Sequence, residues 1–195
     1  MSKSRTICVA ILLLAASPAA ASPEKFLRAA AALENPRVRY DPNYRRIPYP
    51  MGDVPAGTGI CADVVVRAYR GIGIDLQKLV HEDMERHFAL YPKTWGLSGP
   101  DANIDHRRVL NLRVFFSRYG KSLPVTNDPK DYRPGEIVTW NLDAHGSLPH
   151  IGIVMARRTR DGKRPLMLHN EGRGQIVEDV LFAAKITGHY RYAID

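Results

Sequence analysis

Hydrophobic positions along the chain change their spacing about two thirds of the way through, and that change predicts the order of elements. From Pro23 to Glu34 an alanine-rich segment carries Phe26, Leu27, Ala30, Ala31 and Leu33 at helical spacing, and Asn35-Pro36 ends it. Residues 37–60 are rich in Pro, Tyr and Gly and predict an extended, looping lead-in. Over 61–70, Val64, Val65, Ala68 and Tyr69 share one face of a helix that Gly71-Ile72-Gly73 stops. Asp75 is placed to cap a helix over 76–90, built on Leu76, Leu79, Val80, Met84, Phe88 and Leu90. After a loop, Asp105 is the expected cap of a helix over 106–119.

Beyond Gly120 the period shortens to that of strands. Glu136–Trp140, His150–Met155, Leu166–His169, Gln175–Asp179 and Gly188–Ile194 are short, β-branched or aromatic runs separated by Gly and Pro. Helices first and strands afterwards predict an α+β domain with an antiparallel sheet.

The N-terminus has a different character. Lys3 and Arg5 precede an apolar stretch, Ile7 to Ala16, too short to span a bilayer, and Ala19-Ala20-Ala21 offers small residues for cleavage. Residues 1–21 therefore predict a cleavable signal peptide cut after Ala21. They leave a single domain over 22–195, with 22–60 as its N-terminal helix and lead-in, in the periplasm or secreted. No later stretch is apolar enough for stable membrane insertion. The formal charge of +8 becomes +6 when Lys3 and Arg5 leave. On an exported chain this excess favours an anionic envelope partner such as peptidoglycan. No aromatic-basic platform or phosphate-cradling loop points to nucleic acid or a nucleotide, and no cofactor is expected.

Export leaves one cysteine, Cys61, because Cys8 lies in the leader. A lone thiol in an oxidising compartment has no internal disulfide partner, and at a helix start it becomes a candidate nucleophile. The helix N-terminus and a neighbouring imidazole are expected to lower its pKa. Among seven histidines, His81 and His87 lie on a charged helix face and predict surface positions, His145 sits in a polar loop, and His189 is expected to be structural. His150 and His169 each lie on a short apolar strand, and neighbouring strands would bring them to one cleft as base and orienting partner.

Four motifs carry a resemblance. Tyr49-Pro50-Met51-Gly52-Asp53 followed by Gly59-Ile60-Cys61 and a helix resembles the approach to the catalytic cysteine of NlpC-type cell-wall cysteine peptidases. Pro134-Gly135-Glu136-Ile137-Val138 is similar to that family's Pro-Gly-Asp-Leu-Val strand, and His150-Ile151-Gly152-Ile153-Val154 to its base-bearing strand. Leu168-His169-Asn170 resembles its third strand. Within that group the chain is most similar to a branch of secreted bacterial proteins of uncharacterised function. Its marks here are Cys61-x-Asp63-Val64-Val65, Asp101-x-Asn103-Ile104-Asp105-His106-Arg107-Arg108 and Gly188-His189-Tyr190-Arg191-Tyr192.

The resemblance implies a papain-like fold with the cysteine helix packed on the sheet. It implies a hydrolase cleaving amide bonds of peptidoglycan peptides, as endopeptidase or amidase. Cys61 would be nucleophile, His150 base and His169 orienter, with Asn170 as the alternative third residue. The backbone N–H of Cys61 would help form an oxyanion hole. Ile60-Cys61-Ala62-Asp63 departs from the family's Asp-Cys-Ser-Gly and puts a carboxylate near the thiol, which opposes its ionisation. Acyl or peptidyl transfer by the same pair, and a catalytically inactive envelope-binding module, are the competing functions. Candidate substrate contacts are Tyr49, Asp63, Asp101, Asp105 and His106; the last three match no strong metal-ligand pattern, so no metal is expected.

Overall fold

The computed structural model describes residues 22–194; the signal-peptide expectation lies outside them. In chain order the elements are α1 (Pro23–Ala31), β1 (Arg39–Tyr40), β2 (Thr58–Gly59), α2 (Cys61–Arg70), α3 (Leu76–His87), α4 (Val109–Tyr119), β3 (Lys121–Ser122), β4 (Ile137–Asn141), β5 (Pro149–Arg158), β6 (Pro165–His169), β7 (Ile176–Glu178) and β8 (Lys185–Arg191). Short 3-10 turns follow α3 at Phe88–Leu90 and precede α4 at Asp105–Arg107. The fold is α+β. Six strands pair antiparallel in the order β3-β8-β4-β5-β6-β7.

Alternation along β5 divides the core. Ile151, Ile153 and Met155 join Ile137 and Leu168 in one buried cluster with Phe26, Val64, Val65, Tyr69, Leu112 and Phe116 from α1, α2 and α4. Val154 turns the other way, into a smaller cluster with Val138, Trp140, Met167, Tyr132 and Leu181. By the same period His150 faces this second side, where its ring meets Trp140 with centroids 5.9 Å apart. Val64 and Val65 are fully buried, and each such side chain contributes about 1.5–3 kcal/mol over an exposed one. That seats the cysteine helix firmly on the sheet. Gly152 permits the arrangement on the far side, since a Cβ there would lie 3.0 Å from the Leu168 carbonyl and 3.2 Å from His169 Cβ.

One region differs from its sequence expectation. Asp105 caps nothing: its carboxylate accepts from Asp101 N at 2.7 Å and lies 3.0 Å from His81 Nδ1, so α4 starts only at Val109. The same contact takes His81 out of the solvated face, with its side chain only 15 % exposed. The lead-in is extended and looping, as expected, and specific contacts hold it in place. Parallel β1–β2 pairing sets Tyr40 against Gly59, beside the cysteine. Arg107 reaches the carbonyls of Asp41 at 3.1 Å and Asn43 at 3.2 Å, and Asn103 Oδ1 accepts from Ile47 N at 2.9 Å. Asp75 caps α3 as expected, accepting from Gln77 N and Lys78 N. The Glu136 and His189 motifs meet in one buried contact of 2.6 Å, giving His189 the structural place expected of it.

Candidate active site

Cys61 is the first residue of α2, and Ile60 before it has no side chain able to cap the helix. Asp63 supplies the cap instead, its Oδ2 accepting from Ile60 N at 2.7 Å. The Asp63 carboxylate also receives Arg107 Nε at 2.9 Å and Nη2 at 3.0 Å, both side chains being buried. The carboxylate that departs from the NlpC-type pattern is thus neutralised internally. It holds the start of the cysteine helix to the 101–107 segment, which in turn holds the lead-in.

The thiol is 3 % exposed. Burial pushes it up to about 12; the backbone N–H of Ile151 acts against that, and Asp63 adds to it. The expectation of a lowered thiol pKa is therefore corrected, because desolvation outweighs the amides around the sulfur. Among the described residues no hydrogen bond joins the thiol to the His150 ring. The sulfur is held against the backbone of Ile151, the residue after His150.

The histidines form a continuous chain. His150 Nε2 lies 2.8 Å from His169 Nδ1, with the rings nearly perpendicular at 87°. His169 Nε2 lies 3.0 Å from Glu178 Oε1, and Arg173 Nη2 donates to the same oxygen. Burial, then the neighbouring His169, lowers His150 to about 3; burial lowers His169 too, against the pull of Glu178. Both rings are therefore neutral near pH 7, and the bonding pattern assigns their tautomers. A carboxylate only accepts, so His169 Nε2 carries its proton and Nδ1 is bare. His150 Nε2 must then donate to it, which leaves His150 Nδ1 unprotonated and able to take a proton.

His169 contacts His150; Asn170 does not. Its amide donates to the Gly59 carbonyl at 3.2 Å, and its Oδ1 accepts from Gly172 N at 3.0 Å, pinning the chain before the cysteine to the sheet. A cavity of about 140 Å³ opens on the histidine side, lined by Trp140, Leu142, His150, His169, Glu171 and Val180 among others; Cys61 does not line it.

None of the five expected substrate contacts lines this cavity. Asp63, Asp105 and His106 are buried, with 3 %, 0 % and 2 % exposure. Asp101 accepts from Asn103 N at 2.9 Å and Asn103 Nδ2 at 2.7 Å, which orders its own loop. Tyr49 packs edge-on against His81 with centroids 5.3 Å apart, on the α3 side. Three further residues neighbour the site: Tyr40, a packing or pocket candidate from the sequence, and Glu171 and Glu178, which the sequence did not single out. Tyr40 is raised to about 12 by burial and then by Cys61 and Asp63, and Glu171 acts on it as well. Glu178 sits across from Met167 on β6, which puts it diagonally beside His169 on one sheet face. Alternation with Ile176 was the available signal.

Fold and site together define an α+β protein with a buried cysteine on a helix N-terminus and a His–His–Glu chain on the adjoining sheet. The chain belongs to the family described as a domain of unknown function, DUF1287, whose model matches residues 27–192. It is also similar to the uncharacterized protein YijF of Escherichia coli (strain K12), with 54 % identity over 155 residues, covering 80 % of this chain and 74 % of that protein.

Proposed function

We propose that the protein is an exported cysteine hydrolase of papain-like, NlpC-type fold that cleaves amide bonds in peptidoglycan peptides. The carrying observation is the tautomer chain Glu178–His169–His150, which leaves His150 Nδ1 bare on the strand whose next backbone amide touches the Cys61 sulfur. Catalytic hydrogen bonds are commonly long before substrate binds and tighten in the complex. A resting thiol and neutral imidazole also fit a step in which proton transfer accompanies attack.

In that step Cys61 Sγ bonds to the amide carbon while its proton passes to His150 Nδ1. The carbonyl electrons move to oxygen, which the Cys61 backbone N–H can meet at the helix start. Collapse breaks the C–N bond, and His150 gives its proton to the leaving amine. Water, deprotonated by His150, then cleaves the thioester and restores the thiol. Transfer to an amine in place of water uses the same groups.

One observation favours a second function. A thiol 3 % exposed and raised to about 12 is what an envelope-binding module that had lost catalysis would carry. Digestion of purified muropeptides, followed by product mass spectrometry, separates the alternatives. The hydrolase releases peptide fragments carrying one added water, and Cys61→Ala lowers the rate about a thousandfold or more. Equal digestion by the variant removes the cysteine mechanism, and an aminated product identifies transfer.

A further inference from the structure

The histidine pair has a second chemical capacity. His150, His169 and the exposed Glu171 each offer a ligand atom, and these atoms all lie within 4.8 Å of one another. All three residues line the same 140 Å³ cavity, so an ion reaches them from solvent without passing Cys61. The donor set of two imidazoles and one carboxylate suits zinc and its neighbours among the divalent transition metals, and is unsuited to magnesium or calcium. A further feature points the same way. His169 would bind through Nδ1 while its Nε2 lies 3.0 Å from Glu178, the carboxylate–histidine arrangement that orients and strengthens metal-bound imidazoles. Among the described residues no hydrogen bond or ion pair occupies the Glu171 carboxylate.

We propose that His150, His169 and Glu171 form a zinc-type binding site, and that filling it switches His150 into the opposite tautomer. The His150–His169 contact of 2.8 Å must open by about 0.5 Å for both nitrogens to bond one tetrahedral ion. The metal takes the lone pair of His169 Nδ1, which is already bare. At His150 it must displace the proton from Nε2. That proton passes through solvent to Nδ1, so the ring stays neutral and no proton is lost. Nδ1, the atom facing the duty of base, then carries a proton and cannot accept one. Metal binding needs no catalytic activity; that it also stops catalysis rests on the hydrolase function proposed above.

The test titrates the chelator-treated protein with zinc chloride by calorimetry, and reads imidazole tautomers by long-range proton–nitrogen NMR before and after. One zinc per chain is expected, with His150 moving from Nε2–H to Nδ1–H. Glu171→Gln, an exposed substitution that leaves the core intact, weakens binding about tenfold or more, and Glu178→Gln about 10- to 100-fold. Cys61→Ala binds as the native protein does. Absence of binding, native affinity in Glu171→Gln, or loss of binding in Cys61→Ala overturns the site. Binding with an unchanged His150 tautomer overturns the switch. Muropeptide digestion with and without zinc is a separate arm: no digestion by metal-free protein overturns the hydrolase function and leaves the binding and tautomer results standing.

Discussion

Glu178 is the residue on which the assignment of a base depends. A carboxylate only accepts, whereas the amide of Glu178→Gln can accept or donate, so the reversed tautomer of His169, with the proton on Nδ1, becomes available as well. That tautomer forces His150 to accept at Nε2 and to carry its proton on Nδ1. Glu178→Gln is therefore expected to lower kcat about 10- to 100-fold, short of the 10²–10⁴ typical of a general base itself, while KM holds. A role in stability alone would lower the amount of folded protein without changing kcat per folded molecule. Glu178→Asp should recover part of the rate. Steady-state kinetics normalised to folded protein by circular dichroism reads the difference.

Elements of this chain were legible to the extent that their period was local. α2, β4, β5 and β6 follow from apolar spacing alone, and the pairing of His150 with His169 follows from neighbouring strands. The contacts that hold the lead-in and set the start of α4 were not legible, because their partners lie 24 to 66 residues away in the sequence. Arg107 bonds Asp63, 44 residues back, and the backbone of Asp41 and Asn43, 66 and 64 back. A capping rule applied at Asp105 could not anticipate His81 competing for the carboxylate. A similar long-range knot joins α3 to α4. Asp83 accepts from Arg118 Nε at 2.8 Å and Nη2 at 3.0 Å, from Tyr91 at 2.7 Å, from Tyr119, and meets His87 at 2.8 Å. Burial alone would raise this carboxyl; the donors from Arg118, Tyr119, Tyr91 and His87 outweigh it and hold it well below the usual carboxylate range. A depressed carboxyl stabilises the fold above its unfolded pKa near 4, and the contribution is lost as pH falls through the folded value. Urea midpoints should therefore drop on acidification below about pH 4. Asp83→Asn should lower the urea midpoint at pH 7 by removing the carboxylate that Arg118, Tyr91 and Tyr119 share, and should flatten that part of the acid slope.

At the scale of the whole molecule the question is how a net positive chain would meet the anionic envelope polymer proposed for it. The excess is not spread evenly around the site. Arg37, Arg39 and Arg46 are exposed on the lead-in that runs past Tyr40 and Cys61, and among the described residues none of the three forms an ion pair. Arg45, between them, is engaged by Asp41 at 2.7 Å. Exposed charges of one sign beside a cleft raise the local concentration of an oppositely charged polymer, and salt screens the effect over about 10 Å at 0.1 M. The envelope substrate proposed for this protein carries carboxylates along its peptides, so retention on isolated cell-wall sacculi should weaken several-fold between 50 mM and 500 mM salt. Replacing Arg37, Arg39 and Arg46 with Ser should remove most of that salt dependence while leaving the thermal midpoint nearly unchanged, because exposed unpaired side chains add little to stability. The same variant should digest a short soluble muropeptide at close to the native kcat, since the three arginines act on encounter and not on the His150–His169–Glu178 chain. Salt dependence that persists undiminished in the triple variant would place the anionic contact elsewhere on the surface.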